Sequence, residues 1–199
     1  MTIYLASKSP RRKELLQQME IPFEVLTVDI PEIVQVNEVP ESYSKRITQE
    51  KLHAAWNKIT QEHLPRLPIL CADTEVVLDG IILGKPNDEE DAFHMLKQYS
   101  GKTHQVFTSV GFIYEGYETI RMQTTQITFA EIPDKNIRHY LASGNYKDKS
   151  GGYGIQSYIG QFISHIDGCF YSVMGLPLNT VREMLIDLND YLLQSTIQQ

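Results

Sequence analysis

The sequence is short of the features that mark an extracellular, membrane-bound or nucleic-acid-binding chain. Only two of its 199 residues are cysteine, and Cys71 and Cys169 lie far apart and outside any CxxC or Cys/His spacing. A disulfide framework and a zinc site are therefore both unsupported, and free buried thiols in a reducing cytoplasm are expected. No run approaches the ~20 apolar residues of a membrane span, and the opening Thr2-Ile3-Tyr4-Leu5-Ala6 is too short for a signal-peptide core. Basic residues are in deficit: 18 Lys and Arg face 25 Asp and Glu, a formal charge of -7. Such a chain has no long-range attraction for nucleic acid or an anionic membrane, so neither is an expected partner, and any phosphate ligand must be held by a local cluster. Repeats and low-complexity linkers are missing, and the six histidines show no paired metal spacing.

What is present reads as a cytoplasmic α/β domain spanning residues 1–199, with 42% hydrophobic residues to build one core or a core divided into two lobes around a cleft. Residues 2–6 form a buried strand, and Ser9-Pro10 supplies an N-cap and a first-turn proline for a helix to about Met19. Residues 23–28 are extended and lead into an acidic loop. Tyr43, Ile47, Leu52, Ala55 and Ile59 recur at helical spacing between Pro40 and Glu62. Ile69 to Ala72 read as a central strand, and Val76 to Leu83 as a hairpin turning at Asp79-Gly80. Asp88 caps a helix to Tyr99, residues 103–114 and 118–130 form two long antiparallel strands, and helices follow from Asp134 to Ser143 and through Val181, Leu185, Leu188 and Leu192. The sheet is expected to be mixed and twisted, with helices on its faces.

Four segments carry chemistry. In Leu5-Ala6-Ser7-Lys8-Ser9-Pro10-Arg11-Arg12, a strand gives way to a helix with two guanidinium groups in its first turn. Free backbone N–H groups and forked donors there suit an anion, whereas a helix alone disfavours cations at that end; an exposed basic turn is the alternative. Asp73, in Cys71-Ala72-Asp73-Thr74 at the exit of an apolar strand, offers a carboxylate for a metal or a proton, or else a cap for the strand end. Glu32 is a second acidic candidate, in a loop where solvation alone would explain it. Lys85 lies between Gly84 and Pro86, and Lys51 within the long helix; each suits a phosphate as a point charge, or is a plain surface lysine. In Lys149-Ser150-Gly151-Gly152-Tyr153-Gly154-Ile155-Gln156 the glycines permit close backbone approach to a ligand, and Gln156 offers a donor and an acceptor to a base edge; a glycine-rich turn is the competing view.

In order along the chain, LASKSPRR at 5–12, DIPE at 29–32, EKL around Lys51, ADT at 72–74, GKP at 84–86, SGKTHQVFTSV at 100–110, KSGGYGIQ at 149–156 and GLPL at 175–178 resemble the Maf family of nucleotide pyrophosphatases, historically linked to septum formation. The resemblance implies a Maf/ITPase-like fold and a homodimer. It also implies hydrolysis of a nucleoside triphosphate to the monophosphate and pyrophosphate with a divalent metal, Mg2+ or Mn2+. It makes Asp73 the proton acceptor, places Ser7, Arg11, Arg12, Lys51 and Lys85 around the triphosphate, and gives the metal to Glu32 and Asp73. Arg11, Thr74 and Gln156 match positions associated with substrate choice, and Gly-Ile-Gln resembles the branch acting on dTTP and UTP. The alternatives are the 7-methyl-GTP branch and a nucleotide-binding regulator of cell division. The chain departs from the commoner pattern at Pro31, Glu75, Ser150 and Ser157, where an acidic residue, an apolar residue, alanine and glycine are frequent.

Overall fold

A computed structural model describes residues 1–197. In chain order the elements are β1 (Ile3–Leu5), α1 (Pro10–Gln18), β2 (Phe23–Val25), α2 (Pro40–Gln61), β3 (Ile69–Leu78), β4 (Ile81–Leu83) and α3 (Glu89–Tyr99). They continue as β5 (Thr103–Tyr114), β6 (Tyr117–Phe129), α4 (Asp134–Ala142), β7 (Ile163–Asp167), α5 (Phe170–Met174) and α6 (Leu178–Ile197). The local signals work as expected. Ser9 caps α1 by accepting from the Arg12 amide, Pro10 opens the helix, and Asp88 caps α3 by accepting from the Asp91 amide. Asp79 and Gly80 take the positive φ angles of the β3–β4 turn.

The strands form one mixed seven-stranded sheet in the order β2-β1-β3-β5-β6-β7, with β4 paired to β3. The β1–β2 and β1–β3 pairs are parallel and the rest antiparallel. Side chains alternate across β3, so Ile69 and Cys71 meet Leu52, Ala55 and Ile59 of α2 on one face. On the other face Leu70 and Ala72 pack with α1 and α6, whereas Val76 and Leu78 pack with α3 and α4. One sheet face thus carries two separate cores, and this division produces two lobes with a cleft between them.

β3 differs from expectation in its length. It runs unbroken from Ile69 to Leu78, so Asp73 and Thr74 sit mid-strand rather than at a strand exit. Its neighbour stops instead: β1 is registered with β3 only as far as Leu5 opposite Leu70. Beyond that point one edge of β3 opens onto the cleft, while its other edge stays paired to β5, with Asp73 opposite Ser109. Gly111, opposite Cys71 on β5, lets α2 lie close: a Cβ there would stand 2.5 Å from Leu52 Cδ1 and 3.2 Å from Thr48 Cγ2. That close approach sets the height of Lys51 over the sheet. Among the described residues both cysteines are free; Cys71 is buried, but Cys169 is only half-buried, contrary to expectation. No helix among the described residues is long and apolar enough to cross a membrane.

Candidate active site

The cleft has a volume of about 1150 Å³ and is lined by the loop after β1, the acidic loop, β3, the turn at Lys85 and the glycine-rich segment. Ser7, Arg11, Arg12, Glu32, Lys51, Asp73, Thr74, Lys85 and Gln156 all line it, so the fold brings together residues 149 positions apart in sequence.

Asp73 is at the centre. Its side chain is 8% exposed, and Oδ1 accepts a hydrogen bond from Lys51 Nζ at 2.6 Å. The same ammonium lies 2.6 Å from Glu32 Oε1, a carboxylate on the more open loop. Burial opposes the charge on Lys51, but Asp73 and Glu32 outweigh it and hold the ammonium above its ordinary pKa. Lys51 is therefore not a solvated helix residue. Asp73 Oδ2 is buried and has no hydrogen-bond partner. A buried unpaired carboxylate oxygen is costly unless a ligand completes it.

Glu75 follows two residues along β3 and is only 7% exposed. Burial, then the charge of Asp73 and a hydrogen bond between the two carboxyl groups, raises its pKa well above the usual carboxylate range. Tyr43, from the first turn of α2, lies against the same group: burial, then the charges of Glu75, Asp73 and Glu32, push its hydroxyl upward. Sequence reading missed both as site residues. In the sequence Tyr43 falls on the apolar face of α2 and Glu75 stands out only as a departure from a motif; the two-residue alternation of a strand is the signal that places Glu75 beside Asp73.

The two arginines divide. Arg12 donates from Nε to Gly175 O at 2.8 Å, from Nη2 to Thr74 Oγ1 at 3.1 Å and from Nη1 to Ser7 Oγ at 3.4 Å. It therefore ties the first loop, β3 and the end of α5 across the seam between the two cores. Thr74 continues the tie through Thr108, which donates to Ser172 O. Arg11 Nε is buried without a partner, and burial followed by the Arg12 charge lowers the Arg11 pKa. Lys149 is lowered as well, by burial and then by Arg11. These neighbouring cations repel one another, and an anion or an array of acceptor oxygens would relieve the repulsion.

Part of the glycine-rich segment serves the protein itself. Gly151, at φ +70°, packs so tightly that a Cβ would stand 2.6 Å from Tyr99 Oη and 2.8 Å from Val76 Cγ2. Its amide donates to Gly84 O, which fixes the turn carrying Lys85. Its approach is thus to the core rather than to a ligand. Ser150 fastens the same region: its hydroxyl accepts from the Val76 amide and donates to Leu83 O, within 3.5 Å of Glu75 Oε2. Glu75 and Ser150, two of the positions at which the motif pattern changes, are in contact. Gln156 remains exposed at the cleft wall.

The donors fit a small hard cation. Mg2+ is commonly held by one or two carboxylates together with substrate phosphates and water, and here a buried, unpartnered Asp73 oxygen lies among Glu32 and Glu75. Among the described residues no three Asp, Glu, His or Cys side chains are already gathered into a complete metal cage.

A family model described as Maf-like protein matches residues 2–188. A dTTP/UTP pyrophosphatase of Chromobacterium violaceum is 42% identical over 185 residues, covering 93% of each chain. One from Nitrosomonas europaea is 44% identical over 191 residues, covering 92% of each. The solved structure of the Staphylococcus aureus Ham1 protein is a looser likeness, with TM-score 0.39 and 14% identity over 65% of this chain and 72% of that one.

Proposed function

The chain belongs to the Maf family, and from that premise we propose that it is a nucleoside triphosphate pyrophosphatase that hydrolyses dTTP and UTP to the monophosphate and pyrophosphate in a metal-dependent reaction. The observation that carries this reading is the buried Asp73 carboxylate, held by Lys51 in a cleft whose other walls carry Arg11, Arg12 and Lys85.

The chemistry follows from that placement. The triphosphate lies along the cations of the first loop and the Lys85 turn, which offset its charge and the charge that develops on leaving pyrophosphate. Ser7, already tied to Arg12, offers a hydroxyl to a phosphate oxygen. Water attacks the α-phosphorus, forming a P–O bond as the bond to the bridging oxygen breaks, and Asp73 takes the water proton. Lys51 fixes Asp73 by donating to Oδ1, which leaves Oδ2 without a donor. A divalent cation, when bound to Asp73 and a neighbouring carboxylate (Glu32 or Glu75), would neutralise phosphate oxygens as the anhydride opens. Gln156, Arg11 and Thr74 occupy the walls where the nucleoside would be read, and a glutamine amide can match both the N–H and the carbonyl of a thymine or uracil edge.

Pyrophosphate release from dTTP, UTP, CTP, 7-methyl-GTP and the common purine triphosphates tests the proposal, with Mn2+ and with chelator, for wild type and Asp73→Asn. Metal-dependent cleavage favouring dTTP and UTP is expected, with a loss of about 10³-fold in the variant. A preference for 7-methyl-GTP would refute the pyrimidine reading, and silence across the panel would refute the reaction.

A further inference from the structure

We propose that Glu75 is a ligand of the divalent cation, so that the metal is held by Asp73 and Glu75 on one strand rather than by Asp73 and Glu32 across the cleft; this rests on the metal-dependent reading above. Three carboxylates crowd this wall against a single ammonium. Lys51 bonds Asp73 Oδ1 and Glu32 Oε1 at 2.6 Å each, so Glu32 already has its cation. Asp73 Oδ2 has none: it is buried, receives no hydrogen bond from any cation and belongs to a side chain only 8% exposed, with the Glu75 carboxyl group within hydrogen-bonding reach of Asp73. The carboxylate that shares its strand, its face and its burial is Glu75, at 7% exposure.

Rigidity points the same way. Glu32 comes from an exposed loop and its side chain is 41% exposed, whereas Asp73 and Glu75 project in one direction from the pleat of a strand paired on both sides of Glu75, to β5 and, from the next residue, to β4. Ser150 Oγ, held by the Val76 amide, lies 3.0 Å from Leu83 O and 3.5 Å from Glu75 Oε2, and its single proton can turn from the first to the second when Glu75 carries its charge. Such outer contacts orient metal ligands and raise affinity. Two strand carboxylates, with phosphate oxygens and water completing the shell, match the usual habit of Mg2+.

Binding of Mn2+ to the full chain without nucleotide, followed by electron paramagnetic resonance of the free ion, decides the matter. Glu75→Gln and Asp73→Asn are each expected to weaken Mn2+ binding about tenfold or more, and Glu32→Gln by less than about threefold. Glu75→Asp, which keeps a carboxylate, should retain part of the affinity, and Ser150→Ala should cost a few-fold; circular dichroism reports whether each variant is folded. The proposal is overturned if Glu75→Gln binds within about twofold of wild type, if Glu32→Gln loses as much as Asp73→Asn, or if the wild type binds no Mn2+. Pyrophosphate release from dTTP by the wild type, measured alongside, fails only if the functional reading fails.

Discussion

Replacing Lys51 by methionine keeps the length of the side chain and removes its charge, leaving both Asp73 oxygens without a donor in a side chain 8% exposed. Removing one member of a buried ion pair typically costs about 3–5 kcal/mol, because the other charge stays behind. Glu32 can turn into water, its side chain being 41% exposed, so the lower part of that range applies, about 3 kcal/mol. For a chain of this size that lowers Tm by about 6–12 °C. The pH dependence has a definite sign. The folded pKa of Lys51 lies above its ordinary 10.5, despite burial and because of Asp73 and Glu32, so its stabilisation is complete below pH 10.5 and is lost as pH rises through the folded value. Urea unfolding of wild type and Lys51→Met at pH 7 should show the full gap, and the gap should narrow at strongly alkaline pH. The double variant Lys51→Met/Asp73→Asn removes both charges and should recover most of the loss. If the single variant unfolds within about 2 °C of wild type at pH 7, or the double variant is the weaker of the two, the account of a buried, charge-balanced pair is wrong.

Two further outcomes follow from the packing. Gly111→Ala forces a methyl group against Leu52 and Thr48, so denaturant unfolding should show a loss of about 1–3 kcal/mol, with turnover falling further as α2 lifts Lys51 from Asp73. His104, buried against Tyr99 and Phe129 and hydrogen-bonded to Tyr153 Oη at 2.7 Å, is pushed down to about 4 by burial. Its depressed pKa means stability that is present above about 6.5 and lost as pH falls through about 4, worth roughly 3 kcal/mol across that window. Calorimetry between pH 7 and pH 4 should show a weaker acid dependence in His104→Gln, and an unchanged slope would remove His104 as its source.

Much of the molecule is determined by local sequence. Ser9-Pro10, Asp88 and Asp79-Gly80 set element boundaries through hydrogen bonds and φ angles that span a few residues, so they are legible without the fold. The cations, Asp73 and Gln156 could be named as candidates from the order of the motifs, but residue type alone left each with a plain structural alternative. What tertiary structure alone decided is who partners whom. Asp73 is exposed to the cleft because β1 ends beside Leu70, not because its own strand ends. Lys51 is the ammonium that pairs with Asp73 and Glu32 in the cleft because α2 settles against Gly111, and Arg12 is a clamp because α5 brings Gly175 back across 163 residues. Glu75 becomes unusual only when helix and loops close over it, since a carboxyl group takes its charge and its partners from the water that neighbouring elements exclude. Periodicity shows which face a side chain occupies; sheet register and helix docking determine what it meets there.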